Sequence, residues 1–207
     1  ADTWSRHVVS RGALKREEYD ARIREFARSY HAGTFDCADY ARFQMELLAR
    51  FPRSSLDAWH AEFMEQCVLP RVRQEARALV ERHRELGDEP ALVTGTNAYV
   101  VTPIAREFGI EHVLAVEPEE ADGEFTGGWV GTHTCQAGKV RKVEEWMGRR
   151  GLDWSGVRTV FYSDSVNDLP LLERVTEPVV TNGDARLAAV ARERGWPTLQ
   201  LFERAAQ

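Results

Sequence analysis

Polar side chains interrupt an apolar run between Thr159 and Leu172, in the sequence TVFYSDSVNDLPLL. Its two carboxylates, Asp164 and Asp168, are four residues apart across a predicted strand-to-helix turn, so both can face one point. Mg2+ prefers one or two carboxylates together with water and substrate phosphate oxygens. The run therefore predicts a magnesium site in which Asp164 binds the metal, while Asp168 acts through water or orients a neighbouring cation.

Two further positions have residue types that suit phosphate binding. Thr94 and Gly95 end the apolar run ALVTGT, where a hydroxyl and the N–H groups of a helix start can bind phosphate oxygens. Lys139 follows Gly138 at the start of another predicted helix, and its ammonium could neutralise a transferring phosphoryl group. Each has an ordinary alternative, because Thr94 could cap a helix, Asp164 could be a turn residue and Lys139 could be a solvated lysine. Together, and in this order, they favour phosphoryl transfer.

Two halves of different composition must position these residues. Up to about residue 87 the apolar residues have helical spacing, which predicts a small helical bundle. The helix boundaries that we expect are a stop at Gly33, caps at Thr34 or Asp36 and at Ser54 or Ser55, and a new start at Pro70.

From Glu89 onward, short apolar runs alternate with amphipathic ones, which predicts an α/β fold with a doubly wound parallel sheet. The glycine-rich stretch DGEFTGGWVGTHTCQAG predicts a hairpin, in which we expect His133 to be an exposed residue. We place the helical domain at residues 1–75 and the α/β domain at residues 76–207. Since binding sites of parallel sheets form at the carboxyl ends of the strands, Thr94 and Asp164 should lie along one edge.

Composition excludes several classes of partner. The chain has 207 residues with a net charge of -6, which does not suit nucleic acid or an anionic membrane surface. No apolar run approaches the ~18 residues of a membrane helix. The three cysteines are far apart, without a CxxC pair, and we expect them to be free thiols in a reducing cytoplasm (Cys37, Cys67 and Cys135). The sequence does not indicate an oligomeric state.

The order of Thr94, Lys139, Asp164 and Asp168 resembles motifs two to four of the haloacid dehalogenase superfamily of phosphohydrolases. More narrowly, it resembles the phosphoserine-phosphatase-like branch, subfamily IB. ALVTGT is similar to motif two, AGKV to motif three and SDSVNDLPLL to motif four, where Asn167 belongs to the ND pair of this branch. DGEFTGGWVG is similar to the stretch before motif three, and the helical half resembles the cap of this branch. The resemblance covers nearly the whole chain.

The resemblance implies a Rossmann-like core with a helical-bundle cap domain. It implies a phosphatase that uses Mg2+ and an aspartyl-phosphate intermediate to hydrolyse a small phosphorylated metabolite. The implied catalytic residues are Lys139 and Asp168, the implied phosphate-binding residues are Thr94, Gly95, Lys139 and Asn167, and the implied metal ligands are Asp164 and Asp168. Phosphoserine and histidinol phosphate are both allowed as substrates.

Motif one of this family is absent from the sequence. It is an apolar strand ending in DxDx[TV], whose first Asp is the nucleophile, and no such pair follows an apolar strand before Thr94. FDCAD, at Phe35 to Asp39, lies in a helical pattern instead. The sequence could begin downstream of the motif, another chain could supply the strand, or the protein could be a non-catalytic phosphometabolite-binding or regulatory module. We favour the first interpretation, because losing a central strand would leave two interior edges unpaired.

Overall fold

Helices form the amino-terminal half of the chain, as the spacing of its apolar residues predicts. The computed structural model describes residues 2–11 and 15–202. The helices of this half are α1 (Asp2–Ser10), α2 (Arg16–Ala32), α3 (Cys37–Ala49), α4 (Arg53–Phe63) and α5 (Gln74–Glu85). Strands occur only after α5 among these residues, and the domain boundary at residues 75 and 76 stays a prediction.

The ends of α2 and α3 follow the expected signals. Gly33 ends α2 in the left-handed region, with φ of 75°, where a residue without Cβ has no steric penalty. Asp36 is the cap of α3, because its carboxylate accepts hydrogen bonds from the backbone N–H groups of Ala38 and Asp39.

The predicted starts of the next two helices are wrong. Neither Ser54 nor Ser55 caps α4, which begins at Arg53 directly after Pro52 and has no side-chain cap. Pro70 lies in a short 3-10 turn that follows a π-helical turn, and α5 begins only at Gln74. Proline lacks an N–H donor, so the chain tightens at Pro70 instead of beginning a full helix there.

The second half has the α/β pattern that the sequence predicts. Its strands are β1 (Ala91–Asn97), β2 (His112–Ala121), β3 (Glu124–Val130), β4 (Val160–Ser163), β5 (Glu177–Thr181) and β6 (Thr198–Leu199). Its helices are α6 (Ala98–Glu107), α7 (Ala137–Gly148), α8 (Leu169–Leu172) and α9 (Ala185–Arg194). In the part of the chain that the structure describes, no helix combines the length and hydrophobicity needed to cross a bilayer.

These strands form two three-stranded sheets instead of one continuous sheet. β1 pairs with β2 in parallel, β2 pairs with β3 in the predicted hairpin, and β4, β5 and β6 form the second, parallel sheet. Within residues 2–11 and 15–202, β1 pairs only with β2 and β4 only with β5. Val93 of β1 and Phe161 of β4 nevertheless pack on one apolar cluster that includes Val143 and Met147 of α7. The unpaired edges of the two sheets therefore share a core.

The helical half and the hairpin share another apolar core. Trp4 of α1 and Leu48 of α3 belong to the same buried cluster as Val100 of α6, Val116 of β2 and Phe125 of β3. Burying apolar area contributes about 25 cal/mol per Å². This cluster therefore holds the helices against the first sheet.

The expectation of three free thiols is wrong. A disulfide joins Cys37, at the start of α3, to Cys135, in the loop before α7, and only Cys67 is free among the described cysteines. The two bonded residues are 98 positions apart in the sequence. Their spacing in the chain gives no sign of the pairing, because only packing of the helical half on the α/β half brings them together.

Candidate functional site

A buried ion pair occupies the edge between β1 and β4. The Lys139 ammonium lies 2.6 Å from the Asp168 carboxylate, and each residue is 8% exposed. The same ammonium donates a hydrogen bond to the Val93 carbonyl of β1 at 3.3 Å. The structure therefore brings the predicted catalytic Lys139 and Asp168 into direct contact, beside the residue that precedes Thr94.

The first turn of α7 can pack against the preceding loop because Gly138 has no side chain. A Cβ at Gly138 would lie 1.9 Å from the His133 carbonyl oxygen, which is far inside any permitted contact. The Gly-Lys pair is thus required by the close approach of two backbone segments. This close approach brings the loop of residues 132–136 against the first turn of α7.

Ser163, at the tip of β4, completes the buried network. Its hydroxyl donates to the second carboxylate oxygen of Asp168 at 2.8 Å and accepts from the Ser165 N–H at 3.1 Å. Both oxygens of Asp168 are therefore engaged, one by Lys139 and one by Ser163. This arrangement supports the orienting role for Asp168, and its role as a magnesium ligand stays a prediction. The sequence motifs assign no role to Ser163, although its place before Asp164 at the end of an apolar run indicates a residue at the site.

Asp164 differs from Asp168 in its surroundings. Asp164 is exposed. Its backbone carbonyl accepts a hydrogen bond from the Asp184 N–H at 3.0 Å, which holds the turn in place. No group of three or more acidic, His or Cys side chains in the described residues is arranged to hold a metal. Mg2+ does not require such a group, because it retains waters and uses substrate phosphate. An exposed carboxylate beside the Lys139 network fits this donor set, and Asp164 as the direct ligand stays a prediction.

Thr94 and Gly95 lie inside β1, which continues to Asn97 instead of ending at them as the sequence predicts. The pairing with β2 is irregular between Val93 and Asn97, and there the Thr94 hydroxyl accepts from the Thr96 N–H at 3.2 Å, which shapes a turn. A Cβ at Gly95 would lie 3.1 Å from the Thr134 carbonyl, so the loop before α7 packs closely on this turn. Asn167 is half-buried, and its N–H donates to the Ser165 hydroxyl at 3.3 Å. The phosphate-binding roles of Thr94, Gly95 and Asn167 stay predictions.

His133 is half-buried rather than exposed as expected. Burial lowers the pKa of its imidazole, which favours the neutral form, although the Asp36 carboxylate acts in the opposite direction. Its ring lies 5.7 Å from that of Trp129, and its Nε2 is buried without a hydrogen-bond partner among the described residues. Tertiary packing of the hairpin, which the glycine-rich sequence does not reveal, accounts for this difference.

The helical half also reaches this edge. The Tyr30 hydroxyl of α2 hydrogen-bonds the Ser165 hydroxyl at 2.8 Å, and it donates to the Asp184 carboxylate at 3.4 Å. Asp36 begins α3 beside Cys37, and its pKa is lowered by the N–H groups that donate to it. No sequence pattern predicts these contacts, because Tyr30 fits equally well as an apolar position of a helix.

Comparison with known proteins matches this architecture. The family model of haloacid dehalogenase-like hydrolases matches residues 1–173. A histidinol-phosphatase of Neisseria meningitidis is 36% identical over 198 residues, which cover 95% of this chain and 89% of that protein. The phosphoserine phosphatase SerB1 of Mycobacterium tuberculosis is 36% identical over 143 residues, which cover 69% of this chain and 46% of that protein.

Solved structures also share this fold. A Bordetella pertussis protein of unknown function is 38% identical with a TM-score of 0.90, and the match covers 97% of this chain and 91% of that one. The structure of a phospho-aspartyl intermediate analogue of phosphoserine phosphatase is 16% identical with a TM-score of 0.64, and the match covers 94% of this chain and 85% of that one. The second likeness shows the fold alone. With the family model spanning most of the sequence, the chain belongs to the haloacid dehalogenase-like hydrolases.

Proposed function

We propose that this protein is a Mg2+-dependent phosphomonoesterase that acts on a small phosphorylated metabolite. The observation that carries the proposal is the buried contact of 2.6 Å between Lys139 and Asp168 at the strand tips. An ammonium held in a poorly solvated position is suited to stabilise charge that develops on a phosphoryl group. A surface lysine would lose most of this effect to water.

Each residue of the proposed site then has a defined task. Lys139 binds a phosphoryl oxygen, and Asp168 holds its ammonium at the position set by Ser163. The Thr94 hydroxyl and nearby backbone N–H groups orient the phosphate at the irregular segment of β1 that follows Val93. Mg2+, held in part by Asp164, would supply further positive charge to the phosphoryl oxygens.

The nucleophile in this proposal is an aspartate on a strand that pairs with the open edges of β1 and β4. Its carboxylate attacks phosphorus and forms an aspartyl-phosphate, while the bond from phosphorus to the substrate oxygen breaks and that oxygen takes a proton and leaves as the alcohol. Water then hydrolyses the aspartyl-phosphate to free aspartate and inorganic phosphate. Two observations support such a strand. Each of these two strands pairs on one side only among the described residues, and Val93 and Phe161 on them pack against one cluster. An unpaired interior edge is unfavourable in a sheet, and a strand placed there would put its carboxyl end beside Lys139.

Histidinol phosphate is the substrate that we propose first. The match to a protein named histidinol-phosphatase covers 89% of that protein, whereas the match to SerB1 covers 46% of that protein. This difference supports the imidazole substrate over phosphoserine. The helical half would close over the leaving group and exclude bulk water.

Phosphate release from the gene product that includes any upstream codons tests these proposals. We expect activity that requires Mg2+, with the highest kcat/KM for histidinol phosphate among histidinol phosphate, phosphoserine and an aryl phosphate. Asp164→Asn should lower kcat about a hundredfold. Asp122→Asn, at an exposed turn position with φ of 51°, removes the same charge elsewhere and should leave kcat unchanged.

The outcomes separate the competing interpretations. Full activity in Asp164→Asn would exclude this residue as a magnesium ligand. Binding of inorganic phosphate without turnover of any of the three substrates would favour the non-catalytic binding module. A preference for phosphoserine would refute the proposed substrate and leave the phosphatase proposal intact.

A further inference from the structure

The connection between α2 and α3 spans the catalytic edge from one loop to the other. We call residues 30–37 the connection. At one end, Cys37 is bonded to Cys135 in the loop before α7, and at the other end Tyr30 contacts Ser165 in the loop after β4. These two loops lead directly to the two partners of the buried ion pair. The connection therefore links the two loops that hold the ion pair.

The disulfide is attached to the turn that positions Lys139. Cys135 lies four residues before Lys139, and its carbonyl accepts from the Gly138 N–H at 2.8 Å. Its own N–H donates to the His133 carbonyl at 3.1 Å. Both bonded cysteines are partly exposed, so a small dithiol can reach them.

The other end of the connection is held by noncovalent contacts. The Tyr30 hydroxyl bonds Ser165, and the Arg186 guanidinium donates to the Tyr30 carbonyl at 3.1 Å and lies 5.4 Å from its ring. A typical hydrogen bond of this kind contributes little net free energy, so this end can open thermally. The covalent end is then the part that decides whether the connection can leave the edge.

We propose that Cys37 and Cys135 form a reversible thiol–disulfide site that controls access to the catalytic edge. The part of the proposal that concerns turnover rests on the proposed phosphatase function. With the disulfide formed, the connection stays over Lys139 and Asp168, and substrate exchange is slow. With the disulfide reduced, noncovalent contacts alone hold it, and the edge opens.

The exchange reaction balances with a dithiol as reductant. One thiolate of the dithiol attacks a sulfur of the protein disulfide, which breaks the S–S bond and forms a mixed disulfide. The second thiolate of the dithiol then attacks the mixed bond, and the dithiol leaves as its own disulfide. Two electrons pass to the protein, and Cys37 and Cys135 each gain a proton as thiols. A disulfide oxidant reverses both steps.

The test uses the full-length protein equilibrated with oxidised or reduced dithiothreitol. Peptide mapping reports the Cys37–Cys135 link, and amide hydrogen exchange reports opening of residues 30–37. We expect the link only in the oxidised protein, and exchange in residues 30–37 about tenfold faster after reduction. Reduction should also raise kcat about threefold or more, because lid opening commonly limits turnover.

Serine variants provide matched controls. Cys37→Ser and Cys135→Ser should behave like the reduced protein under both conditions. Cys67→Ser, which changes the free cysteine, should keep the full response to reduction.

Three outcomes would overturn the proposal: no link under oxidising conditions, a link that leaves exchange of residues 30–37 unchanged, or faster exchange without a change in kcat. If all substrates fail while the link and the exchange response appear, the phosphatase function is refuted and the thiol–disulfide site is retained.

Discussion

Replacing Asp168 with asparagine tests whether the Lys139 ammonium depends on its buried counter-charge. Asparagine has nearly the same shape, so its amide oxygen can still accept from Lys139. Its amide nitrogen would face Ser163, whose hydroxyl oxygen can accept in place of donating. The substitution therefore retains the packing and most hydrogen bonds while removing one charge. What remains is a buried ammonium with the Val93 carbonyl at 3.3 Å as a neutral acceptor.

The magnitude follows from the burial of the pair. Both side chains are nearly inaccessible, at 10% and 12% exposure, so water cannot replace the lost carboxylate. Removing one partner of a buried ion pair costs about 3–5 kcal/mol, and the retained hydrogen bonds place Asp168→Asn near 3 kcal/mol. With a urea dependence of about 2–3 kcal/mol per M for a domain of this size, the midpoint should fall by about 1–1.5 M.

Urea unfolding measured by circular dichroism, without phosphate or metal, gives this free energy. Asp164→Asn is the matched control, because it removes the same charge from an exposed position and should change stability by less than about 0.5 kcal/mol. A double-mutant cycle with Lys139→Met should show a coupling of about 1–3 kcal/mol. Equal midpoints for Asp168→Asn and Asp164→Asn would refute the reasoning that the pair is a desolvated network.

Three further predictions concern pH, backbone contact and the disulfide. Burial lowers the pKa of His60 below 6.5, so the unfolded chain binds more protons and the free energy of unfolding should fall as pH drops from about 7 to about 5. Urea unfolding at several pH values in this range should show that the free energy of unfolding depends less steeply on pH in His60→Gln. An unchanged pH dependence would contradict the assignment of this loss of stability to His60. Gly138→Ala places a Cβ 1.9 Å from the His133 carbonyl oxygen, so it should lower the free energy of unfolding by about 1–3 kcal/mol. Because it displaces Lys139, it should also lower kcat about a hundredfold. A variant with normal kcat would show that the turn can relax. Cys37→Ser should lower the stability of the oxidised protein by about 4 kcal/mol, because the bond to Cys135 closes a loop of about 98 residues, and equal urea midpoints with and without reductant in the unmodified protein would contradict this.

Local sequence patterns were sufficient for the elements and for the type of site. Helical and alternating periodicities reflect which face of each element is buried, so the α/β class and the helical half were predictable. Gly33 and Asp36 marked helix ends because left-handed backbone and N-cap geometry favour those residue types. The predicted start of α4 was wrong because the helix begins at Arg53, directly after Pro52 and without any side-chain cap, so that Ser54 and Ser55 already lie inside it.

Contacts between distant residues depended on the tertiary structure. Tyr30 meets Ser165 across 135 positions, and Cys37 meets Cys135 across 98. Residue type and spacing carry no information on such distances, since they arise when separate helices and strands bury a common apolar face. The motifs identified Lys139 and Asp168 as candidates, whereas only packing could show that they form one buried pair, that Ser163 holds it and that the α2–α3 connection contacts the loops on both sides of it. The chemistry of the site is therefore encoded locally, and the access to it is a property of the folded chain.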